Sequence, residues 1–305
     1  PTPQVTRSEG AELENWKLAA DVEMKSNFIN MHAVHESTSE ERAAHGRPLP
    51  MLCVWTMTEN NQQETHYKCR ACVCGNFAEL DPTLQSWTAQ AEPSSLLAAL
   101  KMGRLRKWQV SKHDVKGAFL NAKIPDGKIV IVQPPAQWVK WGLVQPGVTW
   151  TLDKAVYGLR ESPALWGEER DRTLRNLTWS VNNTRYHLEQ CTGDSQVWHI
   201  RKNGESARTG HMIRGVLVVY VDDFLLQMSL GDVRNGLLKA ILDTGWKLAK
   251  DAMLEVGNPI TFLGIDIYKL QNGDLKLYQE RFTDSLLLKH GMENGTSIRS
   301  VQMGP

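Results

Sequence analysis

The most constraining feature of the sequence is a pair of adjacent aspartates between two apolar runs. Residues 213–221 are almost continuously apolar and β-branched, residues 224–228 form a second apolar run, and Asp222 and Asp223 lie between them. Two short runs of this composition on either side of a turn predict a buried β-hairpin with carboxylates at its tip. Because buried like charges are unfavourable unless cations neutralise them, the two carboxylates need a compensating partner.

Divalent cations are one such partner. Mg²⁺ prefers carboxylate oxygens, and two ions about 4 Å apart can stabilise both the attacking and the leaving oxygen of an in-line displacement. Asp114, in a segment over 108–115 that we predict to be a strand, offers a third carboxylate. The alternative is that Asp222 and Asp223 form an ordinary hairpin turn, since aspartate favours turns. Taken alone, the two aspartates leave both interpretations open.

Five segments, in chain order, resemble the motifs of copia-type retrotransposon reverse transcriptases. They are 114–121 (Asp-Val-Lys-Gly-Ala-Phe-Leu-Asn), 132–135 (Val-Gln-Pro-Pro), 156–166 (Val-Tyr-Gly-Leu-Arg-Glu-Ser-Pro-Ala-Leu-Trp), 218–223 (Val-Val-Tyr-Val-Asp-Asp) and 262–267 (Phe-Leu-Gly-Ile-Asp-Ile). Five ordered matches are very improbable by chance. The resemblance covers about residues 16–292, and the chain is identified as a member of this family.

The resemblance implies an α+β fold, with the fingers and palm of a right-hand polymerase, an antiparallel palm sheet and a thumb that is largely missing. Helical and strand patterns that interleave without regular βαβ alternation favour the same class. We predict a disordered tail over 1–15, mainly fingers over 16–110, palm with interleaved fingers segments over 111–280, and the start of the thumb over 281–305.

The resemblance also assigns the catalytic residues. Asp114 and Asp222 would hold two Mg²⁺ ions, or Mn²⁺ ions, with Asp223 beside them and the backbone carbonyl of Val115 completing one coordination sphere. The implied reaction is RNA-directed DNA synthesis, in which the primer 3′-hydroxyl attacks the α-phosphate of a deoxynucleotide and pyrophosphate leaves. The protein would contribute mainly positioning and charge stabilisation.

Two of the matched segments supply residues for the nucleotide. Phe119 stands where the family places the aromatic side chain that excludes a ribose 2′-hydroxyl; the alternative is an ordinary core phenylalanine. Tyr157 and Gly158 would line the nucleotide pocket, and Arg160 would reach phosphate. Arginine stands here where lysine is more usual in the family, and the two are not equivalent contacts.

A cysteine-rich segment, 66–75, resembles a fingers strand whose basic residues contact the triphosphate. Lys68 and Arg70 would take that role, which suits two cations on a hairpin; the alternative is a charged, exposed hairpin. Cys69, Cys72 and Cys74 invite a zinc interpretation. However, no second Cys or His pair has suitable spacing, and alternation would direct Cys69 and Cys72 to opposite faces of a strand. Packing residues are the favoured interpretation.

Two further roles follow from the resemblance. Lys250 stands at the family's Lys-Asp step and is a candidate general acid for the leaving pyrophosphate, with Lys247 as a rival. Phe262, Leu263 and Gly264 would form the primer-contact hairpin.

The implied partners are an RNA or DNA template with its primer, deoxynucleotides, and the ribonuclease H, integrase and protease of a Pol polyprotein, expected elsewhere in a longer product. Residues 101–128 carry eight basic and two acidic side chains, a band that suits a phosphate backbone or an ordinary solvated face. With no apolar run of about 18 residues, we expect no membrane span. A cytoplasmic virus-like particle with nuclear access is the expected location. The rival hypotheses are a truncated or decayed copy that at most binds nucleic acid, and a cysteine-rich zinc module.

Overall fold

The computed structural model describes Val5 and residues 8–59, 64–79, 86–204 and 213–292. The helices are α1 (Gly10–Glu23), α2 (Ser39–Ala44), α3 (Pro93–Leu105), α4 (Ala136–Lys140), α5 (Ser162–Asn176), α6 (Asp232–Asp243) and α7 (Glu280–Lys289). The strands are β1 (Val34–Glu36), β2 (Leu49–Glu59), β3 (Thr65–Val73), β4 (Gln109–Asp114), β5 (Ile131–Gln133), β6 (Trp150–Leu152), β7 (Thr178–Val181), β8 (Thr184–Gln190), β9 (Val197–Lys202), β10 (Gly215–Tyr220), β11 (Asp223–Met228), β12 (Ala252–Met253), β13 (Ile260–Phe262), β14 (Ile265–Lys269) and β15 (Leu275–Tyr278).

The chain divides into two compact units. The first comprises the described parts of 1–90, 115–177 and 240–247, and the second those of 91–114, 178–239 and 248–305. The division of the chain into fingers, palm and thumb stays a prediction. Most of the predicted tail before residue 8 lies outside the described residues, as do the predicted thumb residues beyond 292. Residues 60–63 of a polar stretch, 59–64, that predicts a turn also lie outside them.

The first unit is built on a five-stranded sheet in the order β1-β6-β5-β2-β3. Alternate residues of β2 (Met51, Cys53 and Trp55) are buried, as the period of two along a strand requires. Helix α1 covers this buried face, where the Trp16 ring lies 5.5 Å from that of Trp55 and 4.6 Å from that of Tyr67, measured between centroids. The strand-like runs 49–58 and 66–77, separated by the polar residues 59–64, predict an antiparallel hairpin, which β2 and β3 form.

The second unit is built on a seven-stranded sheet in the order β12-β4-β11-β10-β9-β8-β7 and a three-stranded sheet in the order β13-β14-β15. The inner strand β10 is fully buried from Gly215 to Val219. A strand covered on both faces reads as a continuous apolar run, which explains the unbroken hydrophobic pattern before Asp222. The predicted α+β class with antiparallel sheets is confirmed, with one parallel pair, β2 with β5.

Three local details differ from the sequence-based expectations. Helix α1 begins at Gly10, so residues 10–15 are helical rather than part of a disordered tail. Pro93-Ser94-Ser95 predicts a serine cap for α3, but Glu92 occupies the N-cap position, without a side-chain capping hydrogen bond, and Pro93 lies in the first turn. The run 262–268 predicts one strand of a hairpin with 275–278, but Leu263 and Gly264 adopt positive φ angles of 53° and 69° and form a turn between β13 and β14.

Among the described residues, none of the helices combines the length and the apolar character that crossing a membrane needs.

Candidate active site

Of the three catalytic aspartates predicted from the sequence, two lie on neighbouring strands of the second unit and the third lies in the adjoining turn. Asp114 is the last residue of β4, and it pairs directly with Asp223, the first residue of β11. Asp223 also pairs with Tyr220 across the β10–β11 hairpin, which leaves Val221 and Asp222 as the two-residue turn. Side chains at directly opposed positions of antiparallel strands project to the same face. The fold therefore brings together carboxylates that are 109 positions apart in sequence.

The turn at this hairpin is strained. Val221 has a φ of 55°, in the left-handed region that β-branched residues rarely enter. A conformation of this kind costs on the order of 1–3 kcal/mol and persists only where the surrounding structure enforces it. Here the fully paired strands β10 and β11 enforce it. Strain of this kind concentrates at functional sites, and it fixes the backbone that carries Asp222.

The carboxylates form an anionic site whose negative charge is only partly neutralised. Burial raises the pKa of Asp222, and the charges of Asp114 and Asp223 act in the same direction. Burial also raises the pKa of Asp223, while the ammonium of Lys112 opposes this shift. Nζ of Lys112 lies 2.9 Å from Oδ2 of Asp223. Additional positive charge would favour the ionised form of both aspartates.

Divalent cations fit the chemistry of this donor set, which consists of carboxylate oxygens with uncompensated charge. In the described part of the chain, no three His, Cys, Asp or Glu side chains converge closely enough to hold a metal ion. The metal-ligand role of the aspartates therefore remains a prediction. Val115, whose carbonyl was the fourth predicted ligand, is buried in the first unit.

Three predicted nucleotide-contact residues meet in the first unit. The guanidinium carbon of Arg70 lies 4.5 Å from the centre of the Tyr157 ring. The Phe119 ring packs edge-on against the same tyrosine, with 5.0 Å between centroids. Phe119 is only partly buried, so part of its ring remains accessible. An arginine and two aromatic rings from three separate segments therefore form one cluster.

The backbone of Tyr157 and Gly158 is joined to the end of β3. The Val73 amide donates to the Tyr157 carbonyl at 2.7 Å. Gly158 has a φ of 87°, and a Cβ at this position would collide with the Val73 carbonyl oxygen. Arg160, which is partly buried, donates to the Asn76 carbonyl at 3.4 Å. The glycine is thus required both by its φ and by the close approach of two backbones.

Strand β3 presents its cations on one face and its packing residues on the other. Lys68 and Arg70 are exposed, whereas Cys69 and Ala71 are buried. Hydrogen bonding to Cys53, together with burial, raises the pKa of Cys69, so this thiol stays protonated. Cys69 therefore behaves as a packing residue, and Cys72 and Cys74 are only partly buried.

Glu23 is a supporting residue that the sequence did not single out. It is buried on α1 and accepts the Ala71 amide hydrogen at 3.0 Å, next to Arg70. Burial raises the pKa of Glu23, while hydrogen bonds and the charges of Arg70 and Lys68 lower it. A carboxylate beneath two cations both anchors the strand and offsets part of their charge. No local pattern on an amphipathic helix distinguishes such a glutamate from a solvent-exposed one.

The proposed primer-contact residues divide between core and surface. Phe262 is 1% exposed and packs against Tyr220, with 6.4 Å between ring centroids. Only Leu263, which is partly buried, and Gly264, which is exposed, reach the surface at the turn. The role of the three residues in primer contact stays a prediction, and the Phe262 side chain supports the turn from inside the second unit.

The candidate general acid Lys250 is exposed, in a segment held at both ends. The Ala249 amide donates to the Asp114 carbonyl at 2.8 Å. Asp251 accepts a hydrogen bond from Arg234 at 2.9 Å. Lys247, the rival candidate, lies in the first unit, where its carbonyl accepts the Lys116 amide. The contacts on both sides of Lys250 connect it to the strand that carries Asp114.

A buried polar network behind β4 was also missed from the sequence. Arg234 of α6 donates to Ser111 at 3.2 Å, and Ser111 in turn lies 3.0 Å from Nε2 of His113. The same guanidinium bonds Asp251. Burial lowers the pKa of His113 to about 4, and the Arg234 charge acts in the same direction. The sequence predicts part of this network, because alternation along β4 places Ser111 and His113 on the face opposite Lys112 and Asp114.

One strand ends in an aspartate and pairs with a hairpin that carries two adjacent aspartates. This arrangement is typical of the nucleic-acid polymerase class. Residues 40–302 match the family described as reverse transcriptase (RNA-dependent DNA polymerase). The match covers most of the chain, and the chain belongs to the reverse transcriptase family. The family identified from the five ordered motifs is confirmed.

Two retrotransposon proteins are similar in sequence. A transposon Ty5-1 protein of Saccharomyces cerevisiae is 27% identical over 168 residues, covering 54% of this chain and 44% of that protein. The retrovirus-related Pol polyprotein from transposon RE2 of Arabidopsis thaliana is 26% identical over 256 residues, covering 79% of this chain and 15% of that protein. This chain thus spans less than half the length of either relative.

Among solved structures, the foamy viral protease-reverse transcriptase in complex with double-stranded DNA is similar over 94% of this chain and 45% of that chain, with 17% identity and a TM-score of 0.46.

Proposed function

We propose that this chain is the polymerase part of a retrotransposon Pol product and catalyses RNA-directed DNA synthesis. In this reaction the primer 3′-hydroxyl attacks the α-phosphate of a deoxynucleotide, a new phosphodiester bond forms, and the bond to pyrophosphate breaks. The observation that carries the proposal is the direct pairing of Asp114 with Asp223, with Asp222 in the adjoining turn. Carboxylates at the ends of paired strands suit the binding of divalent cations, which this reaction would use.

Asp114 and Asp222 would hold two Mg²⁺ ions, with Asp223 beside them. When bound, such ions lower the charge on the reacting phosphate and stabilise the attacking and leaving oxygens. The residues of the chain would do the rest by positioning. The strained turn at Val221 holds the Asp222 backbone in one orientation, and the β4–β11 pairing holds Asp114 opposite Asp223.

The nucleotide would be bound by residues of the first unit. Arg70 presents a delocalised cation suited to phosphate oxygens. Lys68, which is exposed, and Arg160, which is partly buried, add positive charge. Phe119, packed against Tyr157, offers an apolar wall that cannot hydrogen-bond a ribose 2′-hydroxyl. This wall would favour deoxynucleotides over ribonucleotides. Lys250 would supply a proton to the leaving pyrophosphate.

The proposed partners are a template with its primer, deoxynucleotides, and the remaining Pol enzymes, namely ribonuclease H, integrase and protease. The Pol polyprotein from transposon RE2 among the similar proteins supports this context. The proposed location is a cytoplasmic virus-like particle, with access to the nucleus for integration of the DNA product.

The test is primer extension on poly(rA)·oligo(dT) with Mg²⁺, comparing the wild type with Asp222→Asn. Asp284→Asn, at an exposed aspartate of α7, is the matched control, because it makes the same chemical change away from the carboxylates. We expect synthesis by the wild type and the control, and a loss of about 100- to 1,000-fold in Asp222→Asn, the usual range for removal of one charge-stabilising group.

The assay is run on these 305 residues and on a longer Pol product that contains them. Asp222-dependent synthesis by either protein supports the proposal. Absence of such synthesis in both overturns it and favours a decayed copy that at most binds nucleic acid, which a filter-binding measurement with the same template-primer would detect.

A further inference from the structure

A lysine contacts the candidate metal ligands directly. Lys112 is two residues before Asp114 on β4, so both side chains project to the same face of the sheet. Its Nζ atom lies 2.9 Å from Oδ2 of Asp223. The same ammonium donates to the backbone carbonyl of Thr261 at 3.2 Å. Lys112 thus joins the carboxylate strands to β13, which leads into the Leu263–Gly264 turn.

The charge of this lysine offsets part of the charge of the site. Three carboxylates supply up to three negative charges, and Lys112 supplies one positive charge in direct contact with Asp223. Its side chain is 26% exposed and that of Asp223 is 23% exposed, so water screens the pair only partly.

We propose that Lys112 is a positioning residue of the polymerase site, the resident counter-ion of Asp223. It holds one carboxylate oxygen of Asp223 by an ion pair and ties that oxygen, through the Thr261 carbonyl, to the hairpin that would contact the primer. The proposal deepens the proposed function and rests on it for the role of the carboxylates as metal ligands.

A consequence for metal affinity follows from electrostatics. A divalent cation at Asp223 must share the carboxylate with an ammonium group of the same sign or displace it. Both alternatives weaken cation binding, because like charges a few ångströms apart repel strongly in a partly buried site. Lys112 therefore lowers the metal affinity of the site, and it holds Asp223 in a defined position before the metal binds.

The experiment measures Mn²⁺ binding by electron paramagnetic resonance of the free ion. Lys112→Met removes the charge and keeps most of the stem, whereas Lys112→Arg keeps the charge. Lys202→Met, at an exposed lysine of β9, is the matched control. We expect Lys112→Met to bind Mn²⁺ on the order of tenfold more tightly than the wild type, the size of effect that a single nearby charge produces in a partly screened site. Lys112→Arg and the control should stay within about twofold.

A double-mutant cycle assigns the effect to the ion pair. In an Asp223→Asn background, Lys112→Met should no longer change the Mn²⁺ affinity by more than about twofold, because the paired carboxylate is absent. In the metal-free state, Lys112→Met should melt at a lower temperature than Lys112→Arg, and added Mn²⁺ should raise its melting temperature by more. If Lys112→Met does not fold, Lys112→Gln makes the same comparison.

The proposal is overturned if Lys112→Met binds Mn²⁺ no more tightly than the wild type, which includes binding by neither protein. It is also overturned if the change persists undiminished beside Asp223→Asn. These outcomes are separable from failure of the proposed function. A protein that shows the Lys112 effect on Mn²⁺ but no Asp222-dependent synthesis overturns the polymerase alone, and the reverse result overturns the role of Lys112 alone.

Discussion

The Arg70 guanidinium stacks on the Tyr157 ring, with 4.5 Å between the guanidinium carbon and the ring centre. The two residues come from segments 87 positions apart, and the Val73–Tyr157 backbone hydrogen bond holds these segments together. A cation that rests on an aromatic face keeps its donors free for a further anion. The contact therefore orients Arg70 without neutralising it, as a phosphate-binding arginine requires.

The first prediction concerns this arginine. Arg70→Met should raise KM for dTTP by about 10- to 100-fold, because charge-assisted hydrogen bonds contribute about 1.5–3 kcal/mol. Tyr157→Phe keeps the ring beneath the guanidinium and should have little effect. Steady-state primer extension measures both. Thr58→Ala, at an exposed position of β2, is the control. An unchanged KM in Arg70→Met would exclude the arginine from nucleotide binding, and Lys68→Met then tests the neighbouring cation.

The second prediction concerns sugar selection. Phe119→Val shortens the side chain that packs against Tyr157 at a centroid distance of 5.0 Å. The preference for dTTP over UTP should fall by about 10- to 100-fold, since forcing an extra group into a packed site costs about 1–3 kcal/mol. The ratio of kcat/KM for the two nucleotides is the measurement. If Phe119→Val keeps the wild-type ratio while activity persists, Phe119 is only a packing residue.

The elements that the sequence predicted well depend on local pattern. The strand β4, the hairpin β2–β3 and the hairpin β10–β11 each follow from apolar or alternating runs bounded by a turn. The order of five motifs then supplied the family. A local pattern suffices here because successive residues of a strand point to alternate faces. Burial of one or both faces therefore appears directly in the hydrophobic pattern.

The rest depends on tertiary contacts that local pattern does not encode. Lys112 pairs with Asp223 only because β4 and β11 are neighbours in the sheet. Arg234 reaches Asp251 from a helix 17 residues earlier in the sequence. The exact limits of turns are also decided outside the run itself: Asp223 is a paired strand residue, whereas Asp222 lies in the turn.

The third prediction separates steric exclusion from backbone conformation. Gly158 and Gly127 both have positive φ angles, of 87° and 80°, but only a Cβ at Gly158 meets another backbone, at Val73. Gly127→Ala should lower the free energy of unfolding by about 1–2 kcal/mol, the usual penalty for a left-handed residue with a side chain. Gly158→Ala should lower it by more than about 3 kcal/mol, since it adds a backbone collision to the same penalty. Urea unfolding of the two variants is the comparison, and equal losses would contradict the close approach.

The fourth prediction tests the network behind β4. Arg234→Met keeps much of the buried stem but removes the hydrogen bonds to Ser111 and Asp251. The free energy of unfolding should fall by about 1–3 kcal/mol, because a buried hydroxyl loses a partner. Arg104→Met breaks a more exposed ion pair, with Asp274, and should cost less than about 1 kcal/mol. A smaller loss in Arg234→Met than in this control would show that the network does not stabilise the fold.

The fifth prediction is a pH dependence set by His113, which is 3% exposed and lies beside Ser111. Burial lowers its pKa from 6.5 to about 4 in the folded protein, with Arg234 acting in the same direction and Asp251 opposing. Between these values the unfolded chain binds a proton that the folded chain does not. Stability from this residue is therefore fully present above about pH 6.5 and is lost as pH falls toward about 4.

The measurement for His113 is the free energy of unfolding as a function of pH for the wild type and His113→Gln. The wild type should lose up to about 1.4 kcal/mol per pH unit more than His113→Gln within that window. Groups whose pKa is shifted the other way, such as Asp222 and Asp223, occur in both proteins and cancel in the difference. His290→Gln, at an exposed histidine, should follow the wild type. Parallel pH profiles for His113→Gln and the wild type would contradict the prediction, because they would mean that burial against Ser111 does not lower the pKa of His113 in the folded protein.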